Sequence, residues 1–121
     1  MKKNKGRSGI YVVYPKSKEP QSIWKPKGYK TKVNCNHTKV GKTNDFTGAL
    51  HGRYIPNFGD VEFFDITQVP QSKLAGVEKA IHDRIKQEGI KRVGRSREWY
   101  DTTDRTKLKD IILQVVAEFK I

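Results

Sequence analysis

Residues 9–14, Gly-Ile-Tyr-Val-Val-Tyr, are a β-branched and aromatic run that predicts a buried strand ended by Pro15. Strand alternation puts Tyr11 and Val13 on one face, and Ile10 and Val12 on the other. Residues 60–67, DVEFFDIT, predict another strand, with Phe63 and Phe64 offering one ring to each face. A third strand resumes near Thr31–Val33 or Lys39–Val40. Helical spacing follows in three places. After a cap at Thr43, Asn44 or Asp45, Ala49, Leu50 and Arg53 fall within about 60° of Phe46 around a short helix. Leu74, Val77, Ile81 and Ile85 stripe a long helix over 73–88 that stops at Gly89. Leu108, Ile111, Ile112, Val115, Val116 and Phe119 stripe a last helix over 104–119, capped by Thr103 or Asp104. This order predicts an α/β (α+β) domain, a small three-stranded mixed sheet flanked by three helices. Residues 1–8 read as a basic flexible tail, and 9–121 as a single domain. Within it, 15–36 form a long basic insert whose three prolines argue for a loop.

Two positions break the apolar pattern. Arg53 sits in the buried face of the first helix, and Glu78 lies inside the stripe of the second. A charge in such a place must be paired, neutralised or bound to a metal. Glu78 is therefore either a ligand for one divalent cation or half of a structural ion pair, with Arg53 a possible partner. Arg53 has a second reading, because its fork of donors matches two phosphate oxygens. His82 follows Glu78 by one turn, as a neighbour of the carboxylate or as a surface histidine. The run Gly-Lys-Thr at 41–43 is no phosphate loop, since position 36 holds Asn where that motif needs glycine. Gly41 reads as a turn glycine that lets backbone approach a site closely.

Charge sharpens the picture. The chain has 121 residues and a net charge of +12. Residues 1–42 hold 12 Lys/Arg against one acid, Glu19, whereas the remainder is nearly balanced. A basic stretch this local favours a polyanion, and double-stranded DNA is the expected partner. Trp24 interleaved with Lys25, Lys27, Lys30 and Lys32 suits sugar–phosphate contact, although Trp24 alone can equally anchor the insert onto the core. Lys42 and the basic loop carrying Arg92, Arg95 and Arg97 are further candidate nucleic-acid contacts. No apolar run spans a membrane, and with one cysteine, Cys35, the chain reads as cytoplasmic.

Taken together, these residues resemble the GIY-YIG nuclease superfamily. Gly9-Ile10-Tyr11 matches the first signature, and Lys39-Val40-Gly41 stands at the second with lysine for tyrosine. Arg53 follows on the first helix, and Glu78 occupies the metal position on the next. The series from Lys39 to Thr43, then Arg53, Glu78 with His82, and Glu98-Trp99-Tyr100 is most similar to a branch typified by a T5 phage domain. Many members of that branch are described only as DNA-binding. The resemblance implies a metal-dependent DNA endonuclease using Mg²⁺ (or Mn²⁺). Tyr11, Lys39, Arg53, Glu78 and His82 would be its catalytic set, and Glu78 its metal ligand. Tyr11 would orient or deprotonate the attacking water, Arg53 would steady the phosphate, and the ends would carry 5′-phosphates. The family's asparagine after the metal glutamate is missing, leaving Glu98 or Tyr100 to take its role. Double-strand cleavage by one small domain would need a homodimer or sequential nicking. The alternative is a DNA-binding module that kept the fold without the chemistry.

Overall fold

The computed structural model describes residues 8–24, 30–44, 61–94 and 96–120, with backbone alone for 21–24, 30 and 31. Its centre is β1 (Gly9–Pro15), which the run of β-branched and aromatic residues places in the middle of the sheet. On one side β1 pairs with β4 (Thr38–Thr43), on the other with β5 (Val61–Gln68), and β4 pairs in turn with the two-residue β6 (Trp99–Tyr100). The order is β5-β1-β4-β6, and every pairing is antiparallel. The fold is thus α+β, with a four-stranded antiparallel sheet in place of the expected three-stranded mixed one.

Strands stand at both places where one was expected to resume, near Thr31–Val33 and Lys39–Val40, but the expected long loop over 15–36 is corrected in its earlier part. It contains a separate ribbon, β2 (Gln21–Trp24) against β3 (Lys30–Val33), in the register Trp24↔Lys30. Three prolines do not prevent it, because Pro15 ends β1, Pro20 precedes β2 and Pro26 falls between the two strands. The ribbon is tied down at its end, where Val33 is buried against Trp99.

Two helices are described. α1 (Gln71–Gln87) follows Pro70, whose fixed φ suits a helix start, and gives way at Gly89 with φ +83°. α2 (Arg105–Glu118) is capped by Asp104, whose carboxylate accepts from the Lys107 amide at 3.1 Å. The short helix expected around Phe46–Arg53 lies outside the described residues. Strand alternation then divides the core. Ile10, Val12 and Val40 point toward Leu74, Val77, Ile81 and Ile85 of α1 and Leu108, Ile111, Ile112 and Val115 of α2. Tyr11 and Val13 point the other way, onto Val61 and Phe63. Phe64, the extra residue where the register against β1 shifts, is 39% exposed. Among the described residues no helix is long and apolar enough to cross a membrane.

One arginine belongs to the architecture. Arg105, at the start of α2, donates to the Thr38 hydroxyl at 2.8 Å and to the Cys35 and His37 carbonyls at 2.7 and 3.2 Å. Its guanidinium lies 3.7 Å from the centroid of the Tyr14 ring. It pins the turn that delivers the chain into β4.

Candidate functional site

β6 pairs with β4 at Thr38 and Lys39, and among the described residues the far half of β4 has no strand neighbour on that side. The candidate site fills this notch. Val40 donates its amide to the Glu98 carbonyl at 2.9 Å, which fixes Glu98 at the point where β6 leaves the edge. On α1, Glu78 and His82 flank the buried stripe one turn apart and face the same edge.

The glycine of β4 brings the next group in. Gly41 pairs directly with Tyr11 across the ladder. A Cβ built on Gly41 would lie 2.6 Å from the Tyr11 hydroxyl and 3.2 Å from Glu98 Oε1. Only glycine therefore lets the phenol and the Glu98 carboxylate converge over the strand. The sequence reading of Gly41 as a place of close approach holds, although it lies within a strand rather than a turn.

Lysines of β4 serve both sides. Lys39 shares the Tyr11 face, its ammonium 5.8 Å from the ring centroid and 3.4 Å from Glu98 Oε1. Lys42 is on the opposite face, toward the helices, and meets Glu78 Oε1 at 3.2 Å. Lys42, a candidate nucleic-acid contact, is thus ion-paired with the acid while nearly half of its side chain stays exposed.

His82 is no surface histidine. Nδ1 is hydrogen-bonded to the Tyr100 hydroxyl, and the two rings stack with centroids 5.6 Å apart. Arg92 bridges Tyr100 along the backbone, and its charge acts on the same phenol, so one of the three expected DNA-contacting arginines stands at the rim of the site. Burial pushes the Tyr100 hydroxyl above its ordinary range, and Arg92 only partly offsets this. His82 Nε2 lies 3.6 Å from Glu78 Oε2, too far for a hydrogen bond, and both atoms are buried without a hydrogen-bond partner.

The two neighbouring carboxyl groups titrate apart. Burial alone would raise Glu78, but the adjacent His82, Glu98 and Lys42 outweigh it and hold this carboxyl well below its usual range. Burial raises Glu98, and the neighbouring Glu78 adds to the shift against the opposing charge of Lys39. The donor atoms of Glu78, His82 and Glu98 all lie within 4.8 Å of one another. A half-buried carboxylate–imidazole–carboxylate group, two of whose buried atoms lack a hydrogen-bond partner, fits a divalent cation in donor type and spacing.

Of the residues predicted from sequence, Tyr11, Lys39, Glu78 and His82 are brought together. Arg53, Lys25, Lys27 and Arg95 lie outside the described residues. Trp24 and Lys30 are cross-strand partners in the ribbon, and Lys32 and Arg97 are exposed. The sequence placed Glu98 and Tyr100 in the series that carries the resemblance and as substitutes for a missing asparagine, not as metal ligands. Glu98 is instead a full member of the cluster, and its signal was present as the one acid in the basic run 89–100. Comparisons with protein-family models, with curated proteins and with solved structures find no match for this chain.

Proposed function

We propose that this protein is a divalent-metal-dependent endonuclease that hydrolyses phosphodiester bonds in double-stranded DNA. The observation that carries the reading is the pair of buried, unpartnered atoms, Glu78 Oε2 and His82 Nε2, facing each other beside the Glu98 carboxylate and the Tyr11 phenol. The basic first third of the chain and the resemblance to GIY-YIG nucleases supply the substrate class.

Each residue has a part in this scheme. Glu78 holds the metal, with His82 and Glu98 beside it. A bound divalent ion there would neutralise charge on the scissile phosphate and on the leaving oxygen. Tyr11, with its hydroxyl over Gly41, accepts a hydrogen bond from the attacking water and orients it. Lys39, beside both Tyr11 and Glu98, provides the positive field that the signature tyrosine's position would otherwise lack. Arg53 steadies the phosphate through two oxygens. Tyr100 and Arg92 fix the imidazole of His82 from behind.

One observation favours a second reading, a DNA-binding module without chemistry. Lys42 and Lys39 already neutralise Glu78 and Glu98, as they would in a site that never meets a metal. Cleavage of supercoiled plasmid with Mg²⁺ or Mn²⁺, wild type beside Glu78→Gln, decides between them. Metal-dependent nicking that the variant loses while still shifting DNA in a gel supports the enzyme. Salt-sensitive gel shifts by both proteins with no nicking by either support the module.

A further inference from the structure

The resemblance assigns a single metal carboxylate, Glu78. The geometry around it goes further. We propose that Glu78, His82 and Glu98 form a three-donor nitrogen–oxygen site that takes Mn²⁺ in preference to Mg²⁺. The inference rests on the metal-dependent reading for its place in the chemistry, but its test does not require cleavage.

The two oxygens of Glu78 are treated differently by their surroundings. Oε1 faces Lys42 at 3.2 Å, so that side of the carboxylate is satisfied. Oε2 is turned inward, buried, with no hydrogen-bond partner. The two nitrogens of His82 divide in the same way. Nδ1 is held by the Tyr100 hydroxyl, and Nε2 is buried and unpartnered. The two unsatisfied atoms are 3.6 Å apart. A buried polar atom without a hydrogen-bond partner is costly, and two facing each other at this distance suit a shared cation. In the tautomer that donates from Nδ1 to the Tyr100 hydroxyl, the imidazole presents a bare lone pair to a bare carboxylate oxygen. A cation resolves that arrangement, and the Tyr100 hydroxyl and stacked ring keep the imidazole aimed at it.

Spacing agrees with chemistry. Two donors at about 2.1 Å from one ion are roughly 3.0 Å apart at a right angle and roughly 3.4 Å apart at a tetrahedral one. A separation of 3.6 Å needs a movement of only a few tenths of an ångström. Glu98 supplies the third donor from the far side of the notch, and Lys39 on its Oε1 plays the part that Lys42 plays for Glu78. The lysines thus orient the carboxylates from outside while the inner atoms remain for the ion. Three side-chain donors leave positions open for solvent and a phosphate oxygen. Mg²⁺ prefers oxygen donors and keeps its waters, whereas imidazole suits the transition ions.

Calorimetric titration of the full chain with Mn²⁺ and with Mg²⁺, beside pulsed electron paramagnetic resonance of the Mn²⁺ complex, tests the site. The expected result is Mn²⁺ affinity higher than Mg²⁺ affinity by about tenfold or more, with nitrogen-14 coupling from one directly bound imidazole. His82→Gln should abolish that coupling and lower Mn²⁺ affinity by about tenfold to a hundredfold, with little change for Mg²⁺. Glu98→Gln should weaken both ions and keep the coupling. Equal affinity for the two ions, no binding of Mn²⁺, or a wild-type complex without nitrogen coupling overturns the proposal. The coupling is read on the wild type, so it does not depend on a variant folding. Nitrogen coupling without plasmid nicking would keep this site and remove the nuclease reading. Nicking without nitrogen coupling would do the reverse.

Discussion

Replacing Gly41 with alanine adds one methyl group to the middle of the candidate site. Its Cβ would fall 2.6 Å from the Tyr11 hydroxyl and 2.8 Å from Tyr11 Cζ. An ordinary contact needs roughly 3.4 Å or more, so the phenol must retreat by about 0.8 Å. It has little space to do so. Tyr11 is fully buried on Val13, Val61 and Phe63, and the ladder from Gly9↔Thr43 to Val13↔Lys39 fixes the two backbones. Overpacking of this kind costs about 1–3 kcal/mol, reduced by the roughly 0.5–1 kcal/mol that alanine recovers over glycine in a strand. The expected loss is therefore about 1–2 kcal/mol, read as a lower urea midpoint at unchanged slope. Displacing an orienting group by nearly an ångström should slow single-turnover nicking by about a hundredfold. Gly76→Ala is the matched control. On α1 the added Cβ meets the nearest atom, Phe119 Cε2, at 3.6 Å, an ordinary contact. Alanine should there stabilise the helix by about 0.5–1 kcal/mol and leave nicking alone. If Gly41→Ala were as stable and as active as wild type, the phenol would not be seated over that glycine, and its proposed role would fall.

Three further outcomes follow from other parts of the molecule. Arg105→Ala should cost about 2–3 kcal/mol in urea unfolding, because it removes three charge-assisted hydrogen bonds and the stacking on Tyr14 while leaving DNA affinity little changed. The raised Glu98 carboxyl contributes stability that is complete below its ordinary value of 4.5 and is lost as pH rises through its higher folded value. Metal-free Glu98→Gln should therefore lack that decline, and be at least as stable as wild type at neutral pH, in urea titrations between about pH 4 and 7. DNA binding should weaken linearly in log affinity against log salt. Lys42→Ala should change that slope by less than one phosphate contact (about 0.9), since its ammonium is occupied by Glu78.

Strands and helices with strong periodicity were legible because each buries a defined face. Tyr11 opposite Ile10, and Leu74, Val77, Ile81 and Ile85 in one stripe, sit where alternation and helical spacing place them. Pairing was less legible. The sheet became four-stranded because Trp99 and Tyr100, only two residues, dock onto β4, and so short a strand has no period to read. The ribbon was hidden for another reason. Its lysines and prolines read as loop, while its anchor, Val33 on Trp99, is a contact between residues far apart in sequence.

The site shows the same division. Glu78 announced itself because a carboxylate inside an apolar stripe is costly and therefore visible. Glu98 stood in a polar loop, where an acid costs nothing until the fold closes over it. What connects them is β4, whose alternation a count of charge does not show. Adjacent faces of one strand send Lys39 to Glu98 and Lys42 to Glu78, so two cations of the basic segment point at the protein's own acids. On the DNA-binding reading proposed above, phosphate contact in the metal-free protein would fall to basic side chains outside these two pairs. The site itself is held near neutrality by its ion pairs. If a divalent ion joins the inner atoms of Glu78, His82 and Glu98, the carboxylates no longer need both ammonium groups. Lys42, already half in solvent, can then turn toward a phosphate. By linkage, metal and DNA would each tighten the binding of the other. A DNA titration that gave the same affinity with and without Mn²⁺ would show that the lysines stay on their acids and that the basic surface acts alone.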